Sequence, residues 1–162
     1  MDPDPEYLLL FFSSIDLLTI INSIVLIALI LSSALISGTE VAFFSLSQTD
    51  LNKLSNDRKE ENIIVKLLER PRKLLATILI TNNFINILIV LLFTSIADTL
   101  FSGFTYKLNL YLFIVPVRFL FEIILITFLI LLFGEVLPKV YASRNALRFS
   151  KTMSKFIHVI NI

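Results

Sequence analysis

Three short stretches set oxygen-bearing side chains into otherwise apolar sequence. "SSALISGTE" holds Ser32, Ser33 and Ser37 with Gly38 and Glu40; "TNNFIN" holds Thr81, Asn82, Asn83 and Asn86; "FGEVLPK" holds Gly134, Glu135, Pro138 and Lys139. Serine hydroxyls, asparagine amides and a carboxylate form an all-oxygen donor set. Such a set suits hard cations such as Mg²⁺, Ca²⁺ or Na⁺, whereas zinc and copper prefer imidazole or sulfur. The chain has no cysteine, and its one histidine, His158, stands near the C-terminus, where a surface or packing role is expected.

An acidic side chain at the bilayer centre costs about 2.5 to 3.5 kcal/mol, so intramembrane carboxylates face a bundle interior or a wet cavity. Ser33 and Ser37 are four apart and share one helical face, and Asn82, Asn83 and Asn86 can turn their amide oxygens toward one side. In an α-helix Pro138 has no N–H to give the carbonyl of Gly134. That frees a further oxygen, and interrupted helices at membrane depth are tolerated where they line a cavity. Interhelical packing is the alternative reading of each of these residues taken singly. Arg118 and Glu122, spaced i, i+4, are expected to pair. Glu40 and Lys139 can form a salt bridge closing the inner end of a cavity.

The elements that must position these residues are long apolar segments. The chain has 162 residues, 56% hydrophobic and 17% charged, with a mean hydropathy of +0.86 and a net charge of +1; the charged share of a globular protein is about 25%. Ile15 to Ile36, Leu74 to about Ala97, and about Phe113 to Leu137 can each cross a hydrocarbon core of about 30 Å at about 1.5 Å per helical residue. Lys53, Arg58, Lys59, Lys66, Arg70, Arg72 and Lys73 lie between the first two, and Lys139, Arg144, Arg148, Lys151 and Lys155 follow the third. The positive-inside rule therefore predicts an all-α membrane protein with three transmembrane helices, N-terminus out and C-terminus in. Residues 1–14 form an extracytoplasmic segment, 15–142 the transmembrane domain, and 98–112 an outer loop.

The acidic start, "MDPDPEYLLL", lacks the basic n-region of a secretory signal. Within the cytoplasmic loop 46–73, Leu51, Leu54, Ile63, Ile64, Leu67 and Leu68 fall at helical spacings, which predicts two short amphipathic helices with Pro71 as a stop. The segment 143–162 reads as a juxtamembrane amphipathic helix close to anionic lipid headgroups. Its apolar ending, "HVINI", is what a piece of a longer protein would show. Nothing resembles a nucleic-acid patch, and no nucleophile and base pair suggests an enzyme.

"SSALISGTEVAFFSLS", "TILITNNFINILIV" and "LILLFGEVLPKVYA", in this order and separation, resemble the three transmembrane signatures of the CorC and cyclin M (CNNM) magnesium transporter family. The resemblance runs from about Ile15 to Ile162. The family's "SxxxSGxE" falls on Ser33, Ser37, Gly38 and Glu40, its "GNN" on Thr81, Asn82 and Asn83, and its "FGExxPK" on Phe133, Gly134, Glu135, Pro138 and Lys139. Threonine stands at Thr39, where the family commonly has serine, and Thr81 replaces its glycine.

The resemblance implies that Ser33, Ser37, Asn83, the Gly134 carbonyl and Glu135 hold a Mg²⁺ ion, supported by Gly38, Glu40, Asn82, Asn86, Pro138 and Lys139. It further implies a homodimer in the bacterial inner membrane, cytoplasmic CBS domains beyond Ile162, and Mg²⁺ efflux coupled to Na⁺. Gliding-motility-associated bacterial members of the family are similar too. They leave a second reading, a non-transporting membrane scaffold that anchors CBS domains or a motility apparatus.

Overall fold

The computed structural model of the protein describes residues 16–56, 61–100, 107–110 and 113–160. The expected segment 1–14 lies outside the described residues, as do 101–106 and 111–112 of the expected outer loop. Helix α1 spans Leu17–Phe44 and begins at Asp16, which has extended backbone and a carboxylate accepting the Leu17 N–H at 2.8 Å. It outruns the expected span, so the same helix carries Ser33, Ser37, Gly38 and Glu40 down to the membrane edge. Two short helices follow, α2 (Gln48–Asn56) and α3 (Glu61–Leu68), as the amphipathic spacing predicts. Helix α2 starts in a reciprocal cap: Asp50 N–H donates to Ser47 Oγ at 3.2 Å, and Ser47 N–H donates to Asp50 Oδ2 at 3.1 Å.

Helix α4 spans Pro71–Leu100. Pro71 opens it rather than merely closing the preceding turn, because a first-turn proline forfeits no helical hydrogen bond. A two-stranded antiparallel hairpin, β1 (Lys107–Leu110) with β2 (Phe113–Pro116), then leads into the third span. That span is helical from Val117 to Arg144, in three parts: α5 (Val117–Leu129), a π-helical segment (Ile130–Val136) and α6 (Leu137–Arg144). An interrupted helix is the sequence expectation around Gly134; the chain stays helical there and widens its turn instead. Helix α7, Ala146–Ile160, completes the chain.

Helices α1, α4 and the third span are each long and apolar enough to cross a membrane. Leu17, Leu18, Ile20, Ile21 and Ile24 are exposed in the first half of α1, whereas its buried residues, Thr19 apart, crowd into the second half, from Ser33 to Phe43. The outward apolar faces suit lipid, where packing between helices must come from close contact rather than from a hydrophobic drive.

Two apolar cores result. One gathers Ile36 and Phe43 of α1, Leu54 of α2, Ile64 and Leu67 of α3, Leu74 and Ile78 of α4, and Met153 and Ile157 of α7. The other joins Ile89, Phe93 and Ala97 of α4 to Ile126 and Ile130, with Leu26, Leu29 and Ile30 of α1 packed on them. Along α1 the sequence passes from Ile30 to Ile36, and along α4 from Ile78 to Ile89. Ser33 and the asparagines stand between the two cores.

Candidate metal centre

Where α1, α4 and the third span meet in that interval, polar side chains meet across three helices. Ser33, fully buried, donates its hydroxyl to Asn86 Oδ1 at 2.7 Å, and Asn82 Oδ1 lies 3.2 Å from the same Ser33 Oγ. Asn86 Nδ2 in turn donates to Glu135 Oε1 at 3.4 Å, which fixes which end of that amide faces the serine. Two amide oxygens thus approach a hydroxyl that owns a single proton. With Asn82 in this orientation only one can accept it and the other oxygen is open to a cation, whereas the Asn82 amide turned over would donate to the Ser33 hydroxyl. A cation would satisfy all three.

The serines differ from the other hydroxyls of the spans. Ser23, Ser32, Thr39, Thr81 and Thr94 each donate to the carbonyl four residues earlier in their own helix, at 2.6 to 2.9 Å. That habit hides a hydroxyl in an apolar span at little cost. Ser33 instead reaches across to α4. Ser37, one turn further along the same face and 1% exposed, has no hydrogen-bond partner among the described residues. A buried hydroxyl left unpaired costs about 1 to 3 kcal/mol; Ser150 of α7 is a second such hydroxyl, and Ser37 differs from it in facing the cluster, where a water or an ion would answer it.

Gly134 brings the third span close. A Cβ at that position would stand 3.1 Å from Ser33 Oγ and 3.6 Å from Ser33 Cβ, so glycine permits the approach of the π segment to α1. The π ladder ends with Leu137 N–H donating to Leu132 O. Its next rung would run from Pro138 to the Phe133 carbonyl, and proline has no N–H to supply it. The α ladder expected from the sequence leaves the Gly134 carbonyl without its donor. In the π register the lost rung falls on Phe133, beside the glycine. Single π turns inside α-helices occur often at functional sites.

The charged residues are held unequally. Lys139 Nζ lies 3.2 Å from Glu40 Oε2, joining α6 to α1 as the salt-bridge reading expects. Arg118 Nε donates to Glu122 Oε1 at 2.5 Å, and Asp98 of α4 joins as a second carboxylate on the same guanidinium. Sequence spacing foresees the first pair and misses Asp98, which is distant in the chain. Glu135, half-buried, has no basic partner among the described residues.

Of the residues the sequence nominates, Ser33, Asn82, Asn86, Gly134 and Glu135 come together, with Ser37 on the same face of α1. Asn83 is exposed and lines a shallow depression of about 410 Å³ with Asn86, Ile87, Val90 and Leu91. The helical step of about 100° per residue turns it aside from Asn82 and Asn86, which are four apart and share a face. Gly38 sits under the ring of Phe149 of α7, where an added Cβ would stand 2.8 Å from Phe149 Cζ. That contact was not legible in the sequence.

Residues 24–162 match the profile of the family described as CNNM, cyclin M transmembrane N-terminal domain. The chain belongs to this family. A similar protein, a "UPF0053 protein" of Haemophilus influenzae (strain ATCC 51907 / DSM 11121 / KW20 / Rd), is 33% identical over 130 residues, which cover 78% of this chain and 27% of that protein. The cyclin M chain therefore spans about a quarter of that relative's length. As a cyclin M domain with three helices able to cross a bilayer, it is a multi-pass membrane protein.

Proposed function

We propose that this cyclin M domain binds a divalent cation within the membrane and carries it across, with Mg²⁺ as the substrate and Na⁺ as the coupling ion for efflux. The observation that carries the reading is Glu135: a carboxylate on a membrane-spanning helix with only an amide for company among the described residues, beside a hydroxyl and two amide oxygens from other helices. A divalent cation would supply the missing positive charge, and Ser37 adds an unpaired oxygen one turn away.

Mg²⁺ takes six oxygens at about 2.0 to 2.1 Å and gives up water reluctantly, so the protein oxygens would replace part of its shell and leave some water in place. Glu135 supplies the only full negative charge in the cluster, and the serines and asparagines supply dipoles that cost little to desolvate. The Glu40–Lys139 pair joins α1 to α6 on the cytoplasmic side of the cluster. A rocking motion that parts these helices would open the site inward, in keeping with alternating access.

The clustering of lysine and arginine in 46–73 and after the third span supports a cytoplasmic location for both. A homodimer in a bacterial inner membrane, with CBS domains further along the chain, completes the reading.

Mg²⁺ flux into proteoliposomes by the full-length protein, together with Mg²⁺-dependent thermal stabilisation of the solubilised domain, tests the proposal. In the same vesicles, Thr99→Cys should react with an impermeant thiol reagent from the opposite side to Gln48→Cys. Stabilisation and flux both absent, with folding and dimer mass intact, would leave the scaffold reading in its place.

A further inference from the structure

Helix α7 has three sides: one buried in the bundle, one basic, and one that sets Phe149 against Gly38 of α1 and turns Phe156 outward. Ser150, Met153, Ser154 and Ile157 are buried against the bundle. Advancing about 100° per residue, Arg148, Lys151 and Lys155 fall on a second side. Phe156, exposed, falls on a third with Phe149, flanked by exposed Val159 next to the basic side and Ile160 next to the buried one. Between Leu137 and Ile160 the chain carries Lys139, Arg144, Arg148, Lys151 and Lys155 and no acidic residue. A helix with one side in protein, one basic and one apolar lies naturally in a membrane interface.

Beside this helix is a cavity of about 250 Å³ where α1, α6 and α7 meet. Leu35, Tyr141, Phe149 and Met153 form an apolar wall, and Asn145, Arg148 and Thr152 line the rest. Tyr141 and Phe149 are set edge to face with centroids 6.4 Å apart. Leu35 is an exposed residue of the first span, so the apolar wall runs on into the lipid-facing surface of α1. About 20 helical residues cross the hydrocarbon core. Counted from Leu17, they end near Leu35, at the boundary between acyl chains and headgroups.

Arg148 has no carboxylate partner among the described residues. The Asn145 amide gives one N–H to the Tyr141 carbonyl at 3.2 Å and keeps a second to donate. A guanidinium and an amide N–H at the mouth of an apolar cavity, on a stretch without a single negative charge, are complementary to a phosphate attached to a hydrocarbon chain.

We propose that this cavity binds one anionic phospholipid of the adjoining leaflet. Its phosphate rests on Arg148 and Asn145, and one acyl chain runs along Phe149 and Leu35. The site stands apart from the cation cluster and does not depend on the transport reading. Because Phe149 also covers Gly38, the lipid would lie against the same ring that packs on the "SGTE" turn of α1.

The test is native mass spectrometry of the solubilised chain with phosphatidylglycerol, phosphatidylcholine or glycerol phosphate. The parent should retain one phosphatidylglycerol per chain in preference to phosphatidylcholine. Arg148→Gln should reduce that preference about tenfold, the scale of a lost charge-assisted hydrogen bond. Thr152→Phe fills the cavity and leaves every charge in place, so it should abolish retention while the circular dichroism spectrum is unchanged.

Retention by Thr152→Phe equal to the parent would overturn the proposal in favour of a diffuse basic surface. Equal retention of phosphatidylcholine, displacement by an equal concentration of glycerol phosphate, or no retained lipid would overturn it as well. So would a lipid-free dimer that Thr152→Phe dissociates, since a second copy of the chain would then be the occupant.

Discussion

Glu122 and Glu135 lie on the same membrane-spanning helix and are treated in opposite ways. Glu122 is 8% exposed and answered at 2.5 Å by Arg118, on a guanidinium that also holds Asp98. Among the described residues Glu135 meets only the Asn86 amide, at 3.4 Å. Lys139, one turn beyond Glu135 and well spaced to pair with it, is taken up by Glu40 on α1. The first carboxylate is neutralised within the fold, by a guanidinium that also ties α5 to the end of α4 through Asp98. The second is left with its charge unanswered among neutral dipoles. A carboxylate in a membrane is explained by its partner, and where the fold supplies none, an ion from solution is the natural candidate.

The sharpest way to break this comparison is to neutralise each glutamate in turn. Glu135→Gln should leave the fold and its thermal midpoint in the absence of Mg²⁺ nearly unchanged, and should abolish Mg²⁺-dependent stabilisation and flux. Glu122→Gln should do the reverse, lowering Tm by leaving Arg118 with the exposed Asp98 alone, while Mg²⁺ still stabilises what remains folded. Thermal melts of both variants with and without Mg²⁺ decide it. If the two behave alike, Glu135 is a structural residue.

Removing neutral dipoles should have smaller effects. Ser33→Ala and Asn86→Ala each forfeit one oxygen of the cluster, and a net hydrogen-bond-sized loss of about 0.5 to 1.5 kcal/mol corresponds to roughly 2- to 13-fold weaker Mg²⁺ binding. Asn83→Ala separates geometry from resemblance. From its exposed position it should weaken binding less than Asn86→Ala, and titration calorimetry showing the opposite order would put Asn83, rather than Asn86, on the ion. The smallest change should come from Asp98→Asn. This side chain is 71% exposed, and surface ion pairs contribute little, so its melting curve should overlay that of the parent, and a clear fall in Tm would show that the outer charge cluster acts as a unit.

What the sequence made legible follows from how far each signal reaches along the chain. The three spans, the paired short helices of the 46–73 loop, and the Arg118–Glu122 pair are written in patterns a few residues long, and periodicity finds them. Glu40 with Lys139 was readable because both sit at span ends, where few partners compete. The π register was not legible, since counting by four assumes the very ladder that the segment abandons. By sequence the Lys107–Pro116 hairpin passes for loop and for the start of the third span, because its apolar residues continue the hydrophobic run into α5.

The partner of Ser33 depended on choosing among Asn82, Asn83 and Asn86. Resemblance favours Asn83, while the i, i+4 relation of Asn82 to Asn86 held the geometric answer. Phe149 over Gly38 joins residues remote in sequence, and only the folded chain brings them together. The same is true of α7, which the sequence places on the lipid surface and the fold partly buries against α1 and α3.

The π segment also acts as a phase shifter. Each residue of an α-helix advances the side-chain direction by about 100°, so the residue accommodated in a widened turn resets the angular relation between everything before Ile130 and everything after Val136. A third span wound as a plain α-helix could point Arg118 and Glu122 toward α4, or Lys139 toward α1, but would hold the other set about a quarter-turn out of alignment. Seven residues of altered winding let one rod serve two neighbours at two different bearings, and the carboxylate of Glu135 sits where the winding changes.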